Sequence, residues 1–321
     1  MRIITVGTSQ ICKRMIKAFR LAGFTVHACV SRDINRAKDF AIQNGVKFYL
    51  DDYDKALSSQ NYEAVYIAVP NGLHYEYARK ALLAGKSVII EKPICSSYEE
   101  LDYLLKLAKT KGLFVLENMK VVHNRTMDSL KKEIFDIAPI RNIQANFYRK
   151  ASSYDDFKKG EIVNLFNPKL SGGVLMDLNV YNIMFALVLF GLPDSLSYHP
   201  RTISGIDVSG CAILNYDDFD AYLNAGMDGD GKSFCLITGE NGYVLINDRV
   251  SNFKEFDIYK NGSLPKHFKC NIDNLLVSNA SDFFKILNEK DYDLYDKFVG
   301  YSLTEMKVLD LLINSGNIKF D

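Results

Sequence analysis

The sequence predicts an α/β protein with an N-terminal doubly wound parallel sheet and a C-terminal α+β domain built on a large, mostly antiparallel open sheet. In the first part, short apolar runs alternate with amphipathic helices, a rhythm typical of parallel sheets. From about residue 140 the runs follow one another with few helices between them, and turn-forming clusters separate them. This change predicts two domains, 1–120 and 121–321. The last helices of the chain are able to pack back on the first domain.

Six strands are predicted in the first domain, because each is a short apolar run of the kind buried on both faces of a parallel sheet. Gly23 ends the first helix, and Ser97 with Glu100 forms a capping box at the start of a later one. The strands are Ile3–Val6, Thr25–Val30, Val46–Leu50, Ala64–Val69, Ser87–Ile90 and Leu113–Leu116.

Six further strands are predicted in the second domain. A helix over about residues 173–190 interrupts them, and two helices over about residues 274–289 and 293–314 close the chain. The strands are Ile140–Tyr148, Ser195–Ile203, Val208–Tyr216, Ala221–Gly226, Ser233–Thr238 and Tyr243–Ile246.

Composition excludes several classes of protein. Lys+Arg and Asp+Glu are both 39, so no basic field predicts a nucleic-acid partner. The six cysteines are scattered without a C-x-x-C pair, so we expect no metal site and a reducing compartment. The most apolar run, Ile183–Phe190, is far shorter than the roughly 20 residues of a membrane span, and the apolar N-terminus is too short for a signal peptide. We therefore expect a cytoplasmic protein without a membrane partner.

The first strand ends in a glycine turn that leads straight into a helix. This is the place of the dinucleotide fingerprint of Rossmann folds, where glycines let the backbone approach a pyrophosphate at a helix N-terminus. Only the first glycine is present, since Ser9 and Cys12 stand at the second and third glycine positions. An ordinary strand-to-helix turn explains the pattern equally well. The candidate cofactor-binding residues of this turn are Gly7, Thr8, Ser9, Gln10 and Ile11.

The second strand is followed by a serine and two arginines. Ser31, Arg32 and Arg36 suit the 2′-phosphate of NADP through charge-assisted hydrogen bonds, so we predict NADP, with NAD as the alternative cofactor. In the other interpretation, Asp33 caps the next helix and the arginines form a solvated face.

Two more strand ends carry candidates at the edge where such sheets bind ligands. Pro70, Asn71 and His74 follow the fourth predicted strand, although a histidine at a helix start is often only a structural hydrogen-bonding group. Glu91 and Lys92 follow the fifth, and a lysine there must be desolvated or paired, which suits it to act near a reacting oxygen. A surface lysine paired with Glu91 is the alternative.

The last cluster lies at the start of the predicted helix 173–190. Asp177 and Tyr181 are four residues apart, so on an α-helix they share a face. Alone, this pattern also fits a carboxylate at a helix N-terminus and a core tyrosine.

Taken together, these motifs resemble the glucose-fructose oxidoreductase / inositol dehydrogenase (Gfo/Idh/MocA) family over nearly the whole chain. The tyrosine version is similar to the branch that contains dimeric dihydrodiol dehydrogenase. The motifs are S-R-D-I-N-R-A (31–37), A-V-P-N-G-L-H (68–74), E-K-P (91–93), G-G-V-L-M-D-L-N-V-Y (172–181), D-V-S-G (207–210) and G-E-N-G-Y (239–243).

The resemblance implies an NAD(P)-dependent oxidoreductase that transfers a hydride at the hydroxyl or carbonyl carbon of a sugar, polyol or cyclic diol. It implies that Lys92 polarises the reacting oxygen, that Tyr181 is the general acid/base and that Asp177 orients substrate hydroxyls. A homodimer, or a dimer of dimers, formed through the open sheet is expected as well. The family's cofactor-lining positions fall on Asn71, Glu91 and Asn118.

One departure from the family pattern concerns the helix that carries Tyr181. Asn179 replaces the glycine between Asp177 and Tyr181, and because asparagine tolerates positive φ, a backbone that needs this conformation is expected to survive.

Two alternatives to the dehydrogenase stay open at this point. One is a non-catalytic nucleotide-binding regulator of the same fold, which retention of Lys92 and Tyr181 disfavours. The other is an NAD-assisted glycosidase, which the arginines after the second strand disfavour.

Overall fold

The computed structural model describes residues 1–271 and 274–320, and the chain divides into two compact units. Met1–Met119 and Asn274–Leu303 form the first unit, and Lys120–Asp273 and Thr304–Asp321 form the second. The predicted fold class is confirmed, since one sheet is fully parallel and the other is mostly antiparallel. The proposed division into domains 1–120 and 121–321 stays a prediction.

All six strands predicted for the first domain are present in a parallel sheet of order β3-β2-β1-β4-β5-β6. In such a sheet, ligands bind beyond the carboxyl ends of the strands, where the strand order reverses next to β1. The strands are β1 Arg2–Val6, β2 Thr25–Val30, β3 Phe48–Leu50, β4 Ala64–Ile67, β5 Ser87–Glu91 and β6 Val115–Asn118.

Helices follow the first five strands, and a later helix, α9, packs on α1. The ring of Phe284 in α9 meets Phe24 edge to face at 5.2 Å and lies against Gly23. Phe24 in turn contacts Phe19, which contacts Tyr66 in the centre of the sheet. The helices are α1 Gln10–Leu21, α2 Ile34–Gln43, α3 Tyr53–Leu57, α4 His74–Leu83, α5 Tyr98–Lys111 and α9 Leu275–Phe284.

The second unit is built on an eight-stranded sheet of order β14-β13-β12-β11-β7-β10-β9-β8, in which β7 and β10 pair parallel. The six predicted strands are present, and β13 and β14 extend the sheet at one edge. The strands are β7 Ile140–Tyr148, β8 Ser195–Ile203, β9 Ile206–Tyr216, β10 Phe219–Gly226, β11 Phe234–Gly239, β12 Gly242–Ile246, β13 Glu255–Lys260 and β14 Lys266–Lys269.

One face of this sheet is covered by an apolar helix, α8. The helical stretch Pro168–Phe190 is long and apolar enough to cross a membrane, but 83% of its most apolar window is buried, as expected of a core helix. A π-helical turn, Leu175–Asn179, leads into α8. The remaining helices are α6 Thr126–Glu133, α7 Tyr154–Lys158, α8 Val180–Phe190 and α10 Tyr292–Ser315.

Candidate active site

The turn after β1 requires glycine at its first position. Gly7 has φ +109°, and its N–H donates to the carbonyl of Val30 at 3.0 Å. A Cβ at Gly7 would lie 2.3 Å from the carbonyl oxygen of Ala68, which belongs to the connection after β4. The backbone therefore passes too close to its neighbour for any side chain.

Ser9, at the second glycine position of the fingerprint, begins α1. Its hydroxyl accepts a hydrogen bond from the N–H of Cys12 at 3.3 Å, so it is the N-cap of the helix. Cys12, at the third glycine position, lies on the inner face of α1 and is fully buried. Ser9 and Gln10 are exposed, while Gly7, Thr8 and Ile11 are half-buried. This helix N-terminus is accessible to an anion.

The residues after β2 have two separate roles in the structure. Asp33 is the N-cap of α2, since its carboxylate accepts the N–H groups of Asn35 and Arg36 at 2.8 and 3.0 Å. Arg32 and Arg36 are exposed beside this cap, and Ser31 is half-buried. The helix-cap interpretation of Asp33 is therefore observed, and it leaves both guanidinium groups accessible from solvent.

His74 joins the two connections that follow β4 and β5. Its Nδ1 lies 2.9 Å from the carbonyl oxygen of Pro93, and its Nε2 lies 2.9 Å from that of Val69. Burial lowers the pKa of this fully buried histidine to about 4, although the two carbonyl contacts oppose the shift. Both ring nitrogens face main-chain atoms, so any effect of His74 on a cofactor passes through these connections. Pro70 and Asn71, on the first of them, are half-buried.

A buried polar network lies at the carboxyl ends of β5 and β6. Both the hydroxyl of Tyr66 and the amide of Asn118 donate to Oε1 of Glu91. Asn279 of α9 donates to Oδ1 of Asn118 at 2.8 Å. The structure thus brings Glu91 and Asn118 together, and half-buried Lys92 follows at once. No motif in the sequence points to Asn279, because its partner lies more than 150 residues away.

In the second unit, two glycines precede the π-helical turn. A Cβ at Gly172 would lie 2.5 Å from the carbonyl oxygen of Leu165, and one at Gly173 would lie 1.9 Å from Oδ1 of Asp207. Asp177 is half-buried inside the turn, and Tyr181 lies in the first turn of α8 with 9% of its surface exposed. The turn closes i→i+5 hydrogen bonds, so the i,i+4 argument for a shared face does not apply to it.

Asn179 does not use the tolerance of asparagine for positive φ. Its φ is −71°, within the right-handed helical region, so no left-handed conformation is needed at this position. Asn179 is fully buried, and its amide donates to the carbonyl of Leu223 in β10 at 2.9 Å. Asn182 donates to Oδ1 of Asn179 and to the carbonyl of Asn224. Asparagine here ties the start of α8 to the sheet.

Cationic and aromatic groups surround Tyr181. The Nζ of Lys120 lies 5.3 Å from the centroid of its ring, and the ring of Phe147 in β7 lies 6.3 Å away. Arg249 lies 5.5 Å from the ring of Phe147. Lys120 is a candidate that the sequence analysis missed, because a lysine after β6 has no motif of its own.

The predicted catalytic residues fall in different units, Lys92 in the first and Asp177 and Tyr181 in the second. Within residues 1–271 and 274–320, no group of three or more His, Cys, Asp or Glu side chains suits a metal ion.

Part of the chain matches a known family. Residues 1–119 match GFO_IDH_MocA, described as "Oxidoreductase family, NAD-binding Rossmann fold". The chain is 31% identical over 312 residues to scyllo-inositol 2-dehydrogenase (NADP(+)) IolU of Bacillus subtilis (strain 168), covering 96% of this chain and 95% of that protein. It is also 31% identical over 254 residues to dTDP-3,4-didehydro-2,6-dideoxy-alpha-D-glucose 3-reductase of Streptomyces violaceoruber, covering 76% of this chain and 68% of that protein.

A solved structure supports the fold. KijD10, a 3-ketoreductase from Actinomadura kijaniata in complex with NADP and TDP-benzene, superposes with a TM-score of 0.88 over 98% of this chain and 97% of that chain. At 23% sequence identity, this likeness concerns the fold alone.

Proposed function

The chain belongs to the Gfo/Idh/MocA family of NAD-binding oxidoreductases, and from that premise we propose that it transfers a hydride between NADP and a hydroxyl or carbonyl carbon of a sugar or polyol. The prediction of an NAD(P)-dependent dehydrogenase or reductase is confirmed by relatives with such activities. The observation that carries the substrate class is the similarity, over 96% of the chain, to an NADP-dependent inositol dehydrogenase. A cyclic polyol is therefore the first substrate to test.

The first unit fits a dinucleotide at the carboxyl edge of its sheet. Gly7 has no side chain to cover the backbone of the turn, and the accessible N-terminus of α1 suits the pyrophosphate. Arg32, just after β2, and Arg36, in the first turn of α2, are exposed and suit a 2′-phosphate. Bound at this edge, NADP would supply the hydride acceptor for oxidation, and its reduced form would supply the hydride for reduction.

Tyr181 exchanges the proton of the reacting hydroxyl. In oxidation its phenolate takes that proton, and in reduction its phenol gives the proton back. The ammonium of Lys120, close to the ring, stabilises the phenolate. Lys92 stabilises negative charge on the reacting oxygen, and Asp177 accepts hydrogen bonds from other substrate hydroxyls.

Turnover and binding can be tested separately. We expect reduction of NADP in the presence of scyllo-inositol, myo-inositol or D-xylose, with kcat about 100-fold lower in Lys92→Ala and Tyr181→Phe. Because the chain has no tryptophan, binding is followed by the emission of NADPH itself. The Tyr181→Phe variant should bind NADPH as the wild type does.

The preference for NADPH over NADH is tested with a separate variant and a matched control. Arg32→Ala should weaken NADPH binding about 10-fold and leave NADH binding unchanged, because the charge-assisted bond reaches only the 2′-phosphate. Lys38→Ala removes an exposed positive charge from α2, the helix that follows Arg32, and should change neither NADPH binding nor NADH binding. Absence of binding of either nucleotide at concentrations on the order of millimolar would overturn the proposed function.

The proposal extends to assembly and location. We propose a homodimer that forms through the face of the eight-stranded sheet opposite α8. We also propose a cytoplasmic location, because all six cysteines are free and four of them are buried, as expected for a chain that folds under reducing conditions.

A further inference from the structure

The D-V-S-G motif at the start of β9 has no part in the chemistry described so far. Asp207 is fully buried, and its Oδ2 accepts two hydrogen bonds of 2.7 Å, from the N–H of Leu175 and from the hydroxyl of Tyr198. Leu175 is the first residue of the π-helical turn that carries Asp177 and leads to Tyr181. The motif therefore contacts the catalytic segment at its beginning.

The surroundings of Asp207 are shaped for this contact. The left-handed backbone of Gly173 lets the carboxylate approach, since a Cβ there would lie 1.9 Å from Oδ1. Gly210 makes room for Tyr198, whose hydroxyl oxygen would lie 2.4 Å from a Cβ at that position. Gly316 also lies against this ring, since Cδ1 of Tyr198 would lie 2.6 Å from a Cβ at Gly316. Three glycines thus accommodate one carboxylate and one phenol.

The remaining residues of the motif have separate structural roles. Val208 is fully buried in the sheet, and the hydroxyl of Ser209 donates to Asp228 at 3.0 Å. Asp228 also forms an ion pair with Arg201 at 2.6 Å. Only Asp207 and Gly210 of the motif therefore serve the contact with Leu175.

A carboxylate at this point fixes the helix in two ways. The first N–H groups of a helix have no partner within it, and a carboxylate oxygen satisfies one of them. Its charge also interacts favourably with the helix dipole. Burial raises the pKa of Tyr198, and the nearby Asp207 raises it further, so this phenol remains a hydrogen-bond donor to the carboxylate.

We propose that Asp207, held by Tyr198, is a positioning residue that sets the placement of Asp177 and Tyr181 for proton transfer. The inference rests on the proposed function of Tyr181. A small shift at Leu175 displaces the phenol of Tyr181 six residues later, and misplacement of a reacting group by about 1 Å costs on the order of 100-fold in rate.

The chain offers a matched pair of tyrosines for the test. Tyr198 acts at the start of the helical segment, whereas the hydroxyl of Tyr216, also in this sheet, donates to the carbonyl of Gly191 at the end of α8. We expect Tyr198→Phe to lower kcat about 10-fold and Asp207→Asn about 100-fold, with NADPH affinity unchanged. We expect Tyr216→Phe to retain the kcat of the wild type.

A double-mutant cycle separates positioning from a general structural role. If Tyr198 acts through Tyr181, Tyr198→Phe lowers the residual rate of Tyr181→Phe by less than it lowers the rate of the wild type, because only the placement of Asp177 is left to be lost. Equal losses in both backgrounds would overturn the inference. So would equal rates for the Tyr198→Phe and Tyr216→Phe variants, while a loss of activity in Tyr181→Phe would still support the proposed function. Full activity of Tyr181→Phe would instead overturn the role of that tyrosine.

Hydrogen exchange provides a readout that needs no substrate. The amides of residues 173–181 should exchange faster in Tyr198→Phe and in Asp207→Asn than in the wild type, and Tyr216→Phe should leave them unchanged. Unchanged exchange in both of the first two variants would overturn the inference even if no substrate is turned over.

Discussion

Gly7 has two independent reasons to be glycine, and only one of them can be read from the sequence. The fingerprint predicts a tight turn at this position. The second reason is the carbonyl of Ala68, which the fold places 2.3 Å from where a Cβ would be. That contact depends on the pairing of β1 with β4, so no local pattern contains it.

Replacement of this glycine by alanine should weaken both folding and binding. We expect Gly7→Ala to lower the free energy of unfolding by at least about 2 kcal/mol, because backbone strain and the clash with Ala68 add. NADPH affinity should fall about 10-fold as the turn shifts. Gly85→Ala is the control, since Gly85 also has a positive φ but open space around it, and it should cost only about 1 kcal/mol. Urea unfolding and NADPH titration measure both effects, and equal results for the two variants would contradict this account.

Two residues that stand in place of expected glycines have different structural roles. Ser9 is an N-cap, a role that serine fills well. Asn179 could tolerate a left-handed backbone, yet it is helical and its amide donates to the carbonyl of Leu223. The sequence identifies the residue type at such a position but not its partner in a strand more than 40 residues away.

At the scale of elements, apolar patterns predict most strands and miss β13 and β14 at one edge of the second sheet. β13 and β14 carry five lysine, aspartate or glutamate residues among ten, so they lack the apolar run that signals a strand. Such charges are common on edge strands, where they oppose pairing with other chains. The helix over residues 173–190 was predicted, whereas its π-helical start was not, because the Asp207 contact at that start is long-range.

His74 links the connections after β4 and β5, and its titration should appear in the stability of the protein. A neutral imidazole carries a proton on only one ring nitrogen, so only one of the two contacts between His74 and a carbonyl oxygen is a hydrogen bond. Burial lowers the pKa in the folded state to about 4, below the value near 6.5 of an unfolded chain. The unfolded state therefore binds more protons between these pH values, and the contribution of His74 is lost as the pH falls from 6.5 towards 4.

This loss should amount to about 3 kcal/mol at pH 4. Urea unfolding of the wild type and of His74→Gln, followed by circular dichroism, measures it as a function of pH. The difference in unfolding free energy between the two proteins should be constant above pH 7 and shift in favour of the variant below pH 6. A constant difference down to pH 4.5 would show that His74 titrates alike in both states.

At the scale of the whole molecule, the face of the second sheet opposite α8 is partly apolar. One cross-strand row contains Ile213, Tyr222, Gln144, Leu236 and Leu245, in register across five strands. The apolar members are half-buried within the single chain. An apolar centre of this kind with a polar rim is typical of subunit interfaces. The polar ends of the row are Ser197 on one side and Asp257 with His267 on the other.

The assembly prediction follows from this row. We expect the wild type to sediment as a dimer with twice the mass of the 36.4 kDa chain, or as a dimer of such dimers. Leu236→Arg places a charge at the apolar centre, where burial without a partner is costly, and should yield monomers. Phe135→Arg removes an aromatic residue that is 78% exposed outside the sheet, and it should leave the mass unchanged. A monomeric wild type, or a Leu236→Arg variant with undiminished mass, would mean that this face is not the interface.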